Sequence, residues 1–438
     1  MTPQQTPQQL CQHLRDSLAS VHGELVLGFS GGLDSTVLLH ALCRAGFAER
    51  LHAVHVHHGI AAEADQWREH CRQQAQVLSV RFSALPVKLP ARGNLEAEAR
   101  RLRRAALISQ VAADGALLLA HHRLDQAETV LLRLLRAAGV RGLAAMSAQQ
   151  HWHGTPLLRP LLALSRSTLE AIARHWQLDW LEDPANQDQR FDRNYLRHAL
   201  WPLLRARWPE ADARLVDSAA LLAEQAALLD ELAATDLRNC GGDGTSLELA
   251  AWLALSLPRR RNLIYGWCRQ RQLSPPPATA VARISSELAR AAADRQPAIH
   301  WPDGVFSRFR ERLWLLSAAA WQPLRDSANW YPAEQPVLQL QQLCLRLDQH
   351  GSLCLRAPHG PLTVRAAHGG ERILRAGRHR EIKELWRVAG IPPWQRRRLP
   401  LLFADSALVA AAAIGVADNW QPVPGDDVFR IAVSDSAL

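Results

Sequence analysis

The sequence contains little lysine, few cysteines and no long apolar segment. Only two of its 51 basic residues are lysines, Lys88 and Lys383. The seven cysteines include no C-x-x-C pair, which excludes the common patterns for zinc, an iron–sulfur cluster or a redox disulfide. The apolar run "ALVAAAAIGVA" is shorter than the roughly 20 residues that span a bilayer. The N-terminus lacks the basic and apolar segments of an export signal, so we expect a cytoplasmic protein without a membrane partner.

The composition is that of a globular protein with a surplus of positive charge. Hydrophobic residues make up 48% and charged residues 21% of the 438 positions. A chain of this length is expected to form two or three domains. The formal net charge of +9 favours a polyanionic partner, with nucleic acid as the leading candidate. The predominance of arginine has two interpretations, phosphate recognition and codon bias.

The order of apolar runs predicts an α/β fold at the N-terminus. Short β-rich or apolar runs alternate with helical stretches, at residues 24–29, 50–59, 80–87 and 115–122. This order predicts a parallel sheet with helices on both faces, whose ligands bind where strands end and helices begin. A long amphipathic helix starts near Arg207, a helical module follows at 245–295, and the last hundred residues contain short β-type runs.

The motif "SGGLDS" lies between the first predicted strand and a helix. Gly31 and Gly32 allow backbone amides to approach an anion, and Ser30 and Ser35 add hydroxyl groups at a helix N-terminus that favours phosphate. A carboxylate at Asp34 suits Mg²⁺ or a cationic group beside phosphates. The spacing excludes both G-x-x-x-x-G-K-[ST] and G-x-G-x-x-G. The alternative is an ordinary glycine turn with serine caps.

This motif resembles the signature of the PP-loop ATP pyrophosphatases, which cleave ATP between its α and β phosphates. Further segments resemble the tRNA(Ile)-lysidine synthetase family, namely "AVHVHHGI", "GNLEAEARRLRR", "LLLAHHRLDQAETVLLRLLRAAGVRGLAAM", "LLRPLL", "WLEDPANQDQRFDRNYLRHALWPLLRARWP" and "GGERILRAGRHREIKELWRVAGIPPWQRRRLPLLFADSALVAAAAIG". The resemblance implies ATP-dependent ligation of lysine to the wobble cytidine of an isoleucine tRNA with a CAU anticodon, through an adenylated cytidine. ATP as substrate, Mg²⁺, L-lysine and tRNA are therefore expected. A homodimer is one state that the sequence leaves open.

The resemblance also implies three domains. We expect a parallel-sheet PP-loop catalytic domain of the adenine nucleotide alpha hydrolase-like type at residues 1–212. A linker helix and helical tRNA-binding domain at 213–320 and an α+β tRNA-binding domain at 336–438 complete the prediction.

The resemblance assigns roles to residues of the N-terminal domain. It implies that ATP is bound by His121 and by the whole motif, Ser30, Gly31, Gly32, Leu33, Asp34 and Ser35, with Asp34 as the Mg²⁺ ligand. Asp125 and Glu128 lie three residues apart, hence on one helix face, and are assigned to lysine. Catalytic roles fall to Asp34, Arg100 and Asp125.

Other basic and polar residues are assigned to tRNA. Arg193, Asn194 and Arg197 are expected to hold phosphates or the target nucleotide, with Asn94 and Glu96 shaping the same rim. Downstream of the first domain we expect tRNA contacts from two basic clusters, at 259–261 and at 396–398, the second of which contains Arg396. The lone Lys383 is expected to contribute as well, and Trp386 and Trp394 are interleaved with these cations. For each of these clusters, a solvated surface is the alternative.

The sequence departs from the family pattern at two positions. Leu124 stands where the family has the first of two adjacent aspartates, and Arg104 stands where it has an aromatic residue. The histidines of "HVHHG" and "HHRLD" also permit a metal-hydrolase site. Two further alternatives are another PP-loop tRNA-modifying enzyme, such as a cytidine thiolase, and a non-catalytic tRNA-binding protein.

Overall fold

The computed structural model describes residues 6–57, 64–87, 95–152, 154–182, 184–288, 290–291 and 297–435. The chain divides into two compact units, Met1–Ala227 and Leu228–Leu438. None of the helices in the described ranges combines the length and apolar character that a membrane span requires.

The first unit is built on a six-stranded sheet. Its strands are β1 Leu25–Gly28, β2 Leu51–His57, β3 Arg81–Pro86, β4 Ala116–Leu118, β5 Gln149–Trp152 and β6 Thr155–Leu158. The spatial order is β3-β2-β1-β4-β6-β5, with parallel pairing except for the β5–β6 hairpin. The chain adds β2 and β3 on one side of β1 and β4 on the other, so the strand order reverses between β1 and β4. Ligands of such folds bind at that point.

The helices of the first unit surround this sheet. They are α1 Pro7–Leu18, α2 Leu33–Arg44, α3 Ala64–Val77, α4 Leu95–Ile108, α5 Arg123–Leu134, α6 Val140–Leu143, α7 Arg166–His175, α8 Asp192–Tyr195, α9 Trp201–Arg207 and α10 Ala211–Asn239, the last of which continues into the second unit. A π-helical turn, Leu196–Leu200, connects α8 to α9. Leu25, Val26 and Leu27 of β1 are fully buried, as expected for a central strand that is covered on both faces.

The second unit contains short helices and mainly antiparallel strands. Its helices are α11 Leu249–Ala254, α12 Leu257–Gln270, α13 Ala278–Arg283, α14 Ala318–Trp321, α15 Ile382–Val388 and α16 Pro393–Arg396. Its first sheet, in the order β7-β10-β9-β8, consists of β7 Ser246–Glu248, β8 Ala298–Trp301, β9 Gly304–Phe309 and β10 Arg312–Ser317. The segment read as a helical module therefore also contains a strand of this sheet.

Three further sheets complete this unit. The first has the order β11-β15-β18-β19-β20 and the second the order β12-β13-β21-β14, while β16 and β17 form a hairpin. The strands are β11 Ala328–Trp330, β12 Val337–Leu340, β13 Leu343–Leu347, β14 Leu353–Arg356, β15 Leu362–Arg365, β16 Arg372–Arg375, β17 Arg378–Glu381, β18 Leu401–Ala404, β19 Ala407–Ala411, β20 Gly415–Val416 and β21 Val428–Asp435. The predicted α/β fold with a sheet-containing C-terminal part is confirmed.

Candidate active site

The turn after β1 has a backbone that requires glycine. Gly31 has a φ of +79°, and a Cβ at this position would lie 2.8 Å from Cys71 Sγ. Gly32 caps α2 with extended backbone geometry. The turn therefore presents the N-terminus of a 12-residue helix, with its partial positive charge, at the carboxyl end of the sheet.

Hydroxyl groups hold this turn in place. Ser35 Oγ donates a hydrogen bond to the Gly32 carbonyl oxygen at 3.0 Å, and Ser30 Oγ lies 3.0 Å from Ser35 Oγ. Thr36 Oγ1 donates to the Gly31 carbonyl oxygen at 3.3 Å. The backbone that would contact phosphates is thus supported by its own side chains before any ligand binds.

Asp34 lies in the first turn of α2 and faces His122. Its Oδ2 atom is 3.5 Å from His122 Nε2, whereas its buried Oδ1 atom has no hydrogen-bond partner among the described residues. Burial raises the pKa of this carboxyl group, and the nearby His122 opposes the shift. The described residues contain no group of three or more metal-ligating side chains. One available carboxylate oxygen fits Mg²⁺ that takes its remaining ligands from phosphates and water.

His122 joins the turn to the start of α5. Its Nδ1 atom accepts a hydrogen bond from the Leu124 amide at 3.2 Å, and its own amide donates to Asp125 Oδ2 at 3.0 Å. Because Nδ1 is an acceptor, the neutral ring carries its proton on Nε2. That atom lies between two carboxylates, 3.5 Å from Asp34 Oδ2 and 3.6 Å from Asp125 Oδ2, and has no hydrogen-bond partner among the described residues.

A buried cluster of acids and arginines follows on the same helix face. Arg197 Nε donates to Glu128 Oε1 at 2.6 Å, and Arg197 Nη2 donates to Asp125 Oδ1 at 2.7 Å. Arg193 donates to Thr129 Oγ1 at 3.0 Å and lies 3.8 Å from Asp125. Asp125 and Glu128 are thus brought together, as their spacing predicts, and a guanidinium already spans them.

The pKa values of these groups follow from burial and charge. Burial acts to raise the pKa of Asp125, but His122, His121 and Arg197 hold it at about 2. Burial raises the pKa of Glu128 despite its bonds to Arg197. Burial also lowers the pKa of His121 to about 4, so this ring is neutral at pH 7.

Known proteins and family models are similar to this chain along nearly its whole length. The PP-loop domain matches residues 3–204, the TilS substrate binding domain residues 247–314, and the TilS substrate C-terminal domain residues 362–432. The tRNA(Ile)-lysidine synthase of Alkalilimnicola ehrlichii is 42% identical, covering 97% of this chain and 96% of that protein. That of Serratia proteamaculans is 40% identical, covering 94% and 95%.

The chain belongs to the tRNA(Ile)-lysidine synthase family. The family predicted from the sequence is therefore confirmed, and with it the assignment of the chain as a ligase. The structure of this family member brings together the SGGLDS turn, His121, Asp125, Glu128, Arg193 and Arg197 around the ends of β1 and β4.

Other predicted residues of this member of the synthase family have different surroundings. Arg100 is exposed on α4, and Asn194 donates to the Asp188 carbonyl oxygen at 2.9 Å, an internal structural bond. Asn94 and the side chain of Glu96 lie outside the described residues, as does His58. In the described ranges the metal-hydrolase interpretation has no support, because His55 bonds the Phe29 carbonyl oxygen and no three-ligand cluster forms.

The two departures from the family pattern have structural explanations. Leu124 is buried in an apolar cluster with Leu196 and Trp201, so a hydrophobic contact occupies the position of the first aspartate. Arg104 stacks its guanidinium over the Trp152 ring at 4.3 Å. An aromatic group is therefore present at this place, but it comes from the β5–β6 hairpin.

The basic and aromatic residues of the second unit divide into surface and core. Lys383 is exposed on α15, and Arg396 is half-buried, with its Nε atom donating to the Ile391 carbonyl oxygen at 2.7 Å. Trp386 and Trp394, which in the sequence are interleaved with these basic clusters, are each only 2% exposed and pack in the core. Arg398 is also buried, in an ion pair with Asp435.

Two buried polar residues near the site were not selected from the sequence. Sequence reasoning chose His121 for the pocket, whereas His122 lies between the two carboxylates; the tandem "HH" at the end of a strand was the available signal. It also gave no role to Arg159, a buried cation within the "LLRPLL" segment.

Proposed function

We propose that this chain ligates lysine to C2 of the wobble cytidine in the CAU anticodon of an isoleucine tRNA, at the expense of ATP. The observation that carries the proposal is that His122 lies between Asp34 of the nucleotide-binding turn and Asp125, while Arg197 joins Asp125 to Glu128. We further propose a cytoplasmic location, in keeping with ATP and tRNA as substrates.

In the first proposed step, the cytidine C2 oxygen attacks the α-phosphate of ATP and pyrophosphate leaves. Amides of Gly31, Gly32 and the α2 N-terminus would contact the phosphates, and the adjacent Ser30 hydroxyl would orient them. Asp34 would hold Mg²⁺, which when bound offsets the negative charge of the departing pyrophosphate. Because Oδ1 of Asp34 has no other described partner, cation binding would satisfy a buried group.

In the second proposed step, the ε-amine of lysine forms a bond to C2, the C2–O bond breaks, and AMP leaves. Asp125, with a pKa of about 2, stays ionised and would bind the substrate amino group rather than accept its proton. Arg193 and Arg197 already offset the acids, so their positive charge would disfavour the ε-ammonium form and promote transfer of its proton to solvent water before the amine attacks.

The tRNA contacts are proposed for basic residues of both units. Arg100 is exposed on α4, and Arg193 and Arg197 keep part of their side chains accessible, 17% and 23% respectively. These guanidinium groups would face the anticodon nucleotides. Lys383 and Arg396, in the second unit, would contact phosphates elsewhere on the tRNA.

The direct test uses purified protein, ATP, labelled lysine and tRNA that lacks the modification. We expect label only in the isoleucine tRNA with a CAU anticodon, and Asp34→Asn should abolish incorporation. Asp16→Asn, at an exposed position on α1, is the matched control and should retain it. Incorporation that persists in Asp34→Asn would contradict the proposed function.

A further inference from the structure

Three arginines of the first unit lie close enough for their charges to interact, and one of them is buried. We call Arg104, Arg133 and Arg159 the arginine cluster. Arg159 follows β6 and is only 4% exposed. Its Nη1 atom donates to the Ser147 carbonyl oxygen at 2.7 Å, but its buried Nε atom has no hydrogen-bond partner among the described residues. A buried donor of this kind is costly unless a bound oxygen satisfies it.

Arg133 and Arg104 are themselves cations with other partners, so neither satisfies the Nε donor of Arg159. Arg133 donates to the carbonyl oxygens of Gly142 and Ala145 at 2.7 and 2.9 Å, and Arg104 lies over the Trp152 ring. In the described part of the chain, no carboxylate lies within ion-pair distance of the three. Burial, together with the charges of Arg104 and Arg133, lowers the pKa of Arg159 to about 10. The cluster is thus a set of mutually repelling cations that lacks an anion.

The sheet register places Arg159 near the end of β4, ahead of the helix that carries the acids proposed to bind lysine. Leu158 pairs with Leu118, and the Leu119 amide donates to the Leu158 carbonyl oxygen, so Arg159 flanks the segment that leads to His121. His121 Nδ1 is also buried without a described partner. Both Asp125 and Arg159 act on the charge state of this ring, so an anion site and a cation site adjoin the same imidazole.

We propose that Arg159, supported by Arg104 and Arg133, binds the α-carboxylate of the substrate lysine. This inference rests on the proposed function and adds the residues that recognise one end of its amino-acid substrate. A guanidinium whose Nε atom has no described partner can bind a carboxylate. The acids Asp125 and Glu128 can bind the ε-amino group of the same lysine molecule.

The burial of Arg159 favours this anion over a phosphate. A tRNA phosphate belongs to a bulky polymer that stays at the protein surface, whereas an amino-acid carboxylate is small enough for an enclosed site. The ATP phosphates are assigned to the turn after β1, on the other side of β4 from β6. The cluster would therefore distinguish lysine from cadaverine and polyamines, which carry the amine but no carboxylate.

The test measures AMP release by the full-length protein with tRNA and ATP, varying either lysine or cadaverine. The wild-type chain should favour lysine strongly. Arg159→Gln should raise the KM for lysine by about 10- to 100-fold, the range for loss of a charged hydrogen bond, and leave the KM values for cadaverine, ATP and tRNA unchanged. Arg104 is half-buried, so Arg104→Gln should raise the KM for lysine selectively but by a smaller factor. This variant keeps the test valid if Arg159→Gln does not fold.

A matched control is available on the same helix as Arg104. Arg101 is exposed on α4 and pairs with Glu98, so Arg101→Gln should alter none of these constants. If Arg159→Gln raised the KM values for lysine and cadaverine equally, or raised the KM for tRNA instead, the carboxylate assignment would be overturned. Lysine ligation by the wild-type chain would show that the proposed function itself still holds. Absence of lysine ligation by the wild-type chain would instead refute the proposed function.

Discussion

At the residue scale, the ion pair between Glu128 and Arg197 determines whether the acids of the candidate site are available to a ligand. Glu128 has no exposed surface, and both of its carboxylate oxygens accept hydrogen bonds from the guanidinium, at 2.6 and 3.1 Å. The same guanidinium bonds Asp125, so it occupies the acids that are proposed to bind lysine. Lysine must share these acids with Arg197 or displace it.

Replacing Glu128 tests the structural role of this pair. Glu128→Gln should lower the free energy of unfolding by about 3 kcal/mol, because it removes one charge of a buried pair while Asp125 still partners Arg197. Urea unfolding measures the change. Glu69→Gln, in an exposed pair with Arg72, is the control and should leave the unfolding midpoint unchanged. Equal effects at the two positions would contradict this account.

The lowered pKa of His121 in the folded chain should make the free energy of unfolding depend on pH. Its pKa in the folded chain is about 4, below that of an exposed histidine, so the unfolded chain binds a proton first as the pH falls. The free energy of unfolding is therefore highest above about pH 6.5 and decreases as the pH falls from 6.5 to 4. At pH 5 the decrease amounts to about 2 kcal/mol. His121→Asn should reduce the decrease between pH 8 and pH 5 by this amount in urea unfolding. An unchanged decrease would contradict the prediction.

The sequence predicted individual site residues better than their partners. "SGGLDS", Asp125 and Glu128 could be selected because motif and helical spacing are local. The bonds from Arg197 join residues 69 and 72 positions apart, and no local pattern encodes them. The same limit explains Trp386 and Trp394, since basic neighbours in sequence do not show which way an indole side chain faces.

At the element scale, Leu124 attaches α5 to the helices that follow. It packs with Leu196 and Trp201 in one apolar cluster. Leu124→Asp would match the family pattern but should destabilise the chain by about 3 kcal/mol or more, because it removes a buried leucine and buries a carboxylate in its place. Thermal or urea unfolding checks this change. Leu134→Asp, on the same helix but 54% exposed, should have little effect; similar losses at both positions would contradict the role of the cluster.

The turn between β1 and α2 depends on the space that Gly31 leaves. Gly31→Ala should prevent ATP binding, because positive φ and the contact with Cys71 would together shift the turn. Gly46 also has a positive φ, +94°, but nothing lies within 4 Å of a Cβ there. Gly46→Ala should therefore lose some stability and keep its affinity for ATP in equilibrium binding. Loss of ATP affinity in both variants, or in neither, would contradict this account of the turn.

The elements of the first unit could be predicted more fully than those of the second. The predicted runs at 24–29, 50–59 and 80–87 contain β1, β2 and β3, since these strands are apolar or β-rich and bounded by turns. The run at 115–122 was too long, because its last residues leave the sheet and His122 begins to cap α5. The β5–β6 hairpin was missed because its strands lack clear alternation of apolar and polar residues.

At the scale of the whole molecule, the net charge of +9 is the feature that suits tRNA. If Lys383 contacts a phosphate, Lys383→Gln should weaken tRNA binding and reduce the slope of log K against log salt concentration by about 1. Filter binding over a range of salt concentrations measures both, and the KM for lysine should not change. An unaltered slope would remove Lys383 from the tRNA interface.

The central claim for the whole molecule is that the turn after β1 positions ATP for transfer of its adenylyl group to a cytidine. The most direct measurement follows ATP labelled at the α-phosphate, incubated with the purified protein and isoleucine tRNA, first without and then with lysine. The account predicts label on the tRNA without lysine and its release as AMP when lysine is added, with pyrophosphate as the other product. Formation of ADP, with no label on the tRNA at any time, would contradict it.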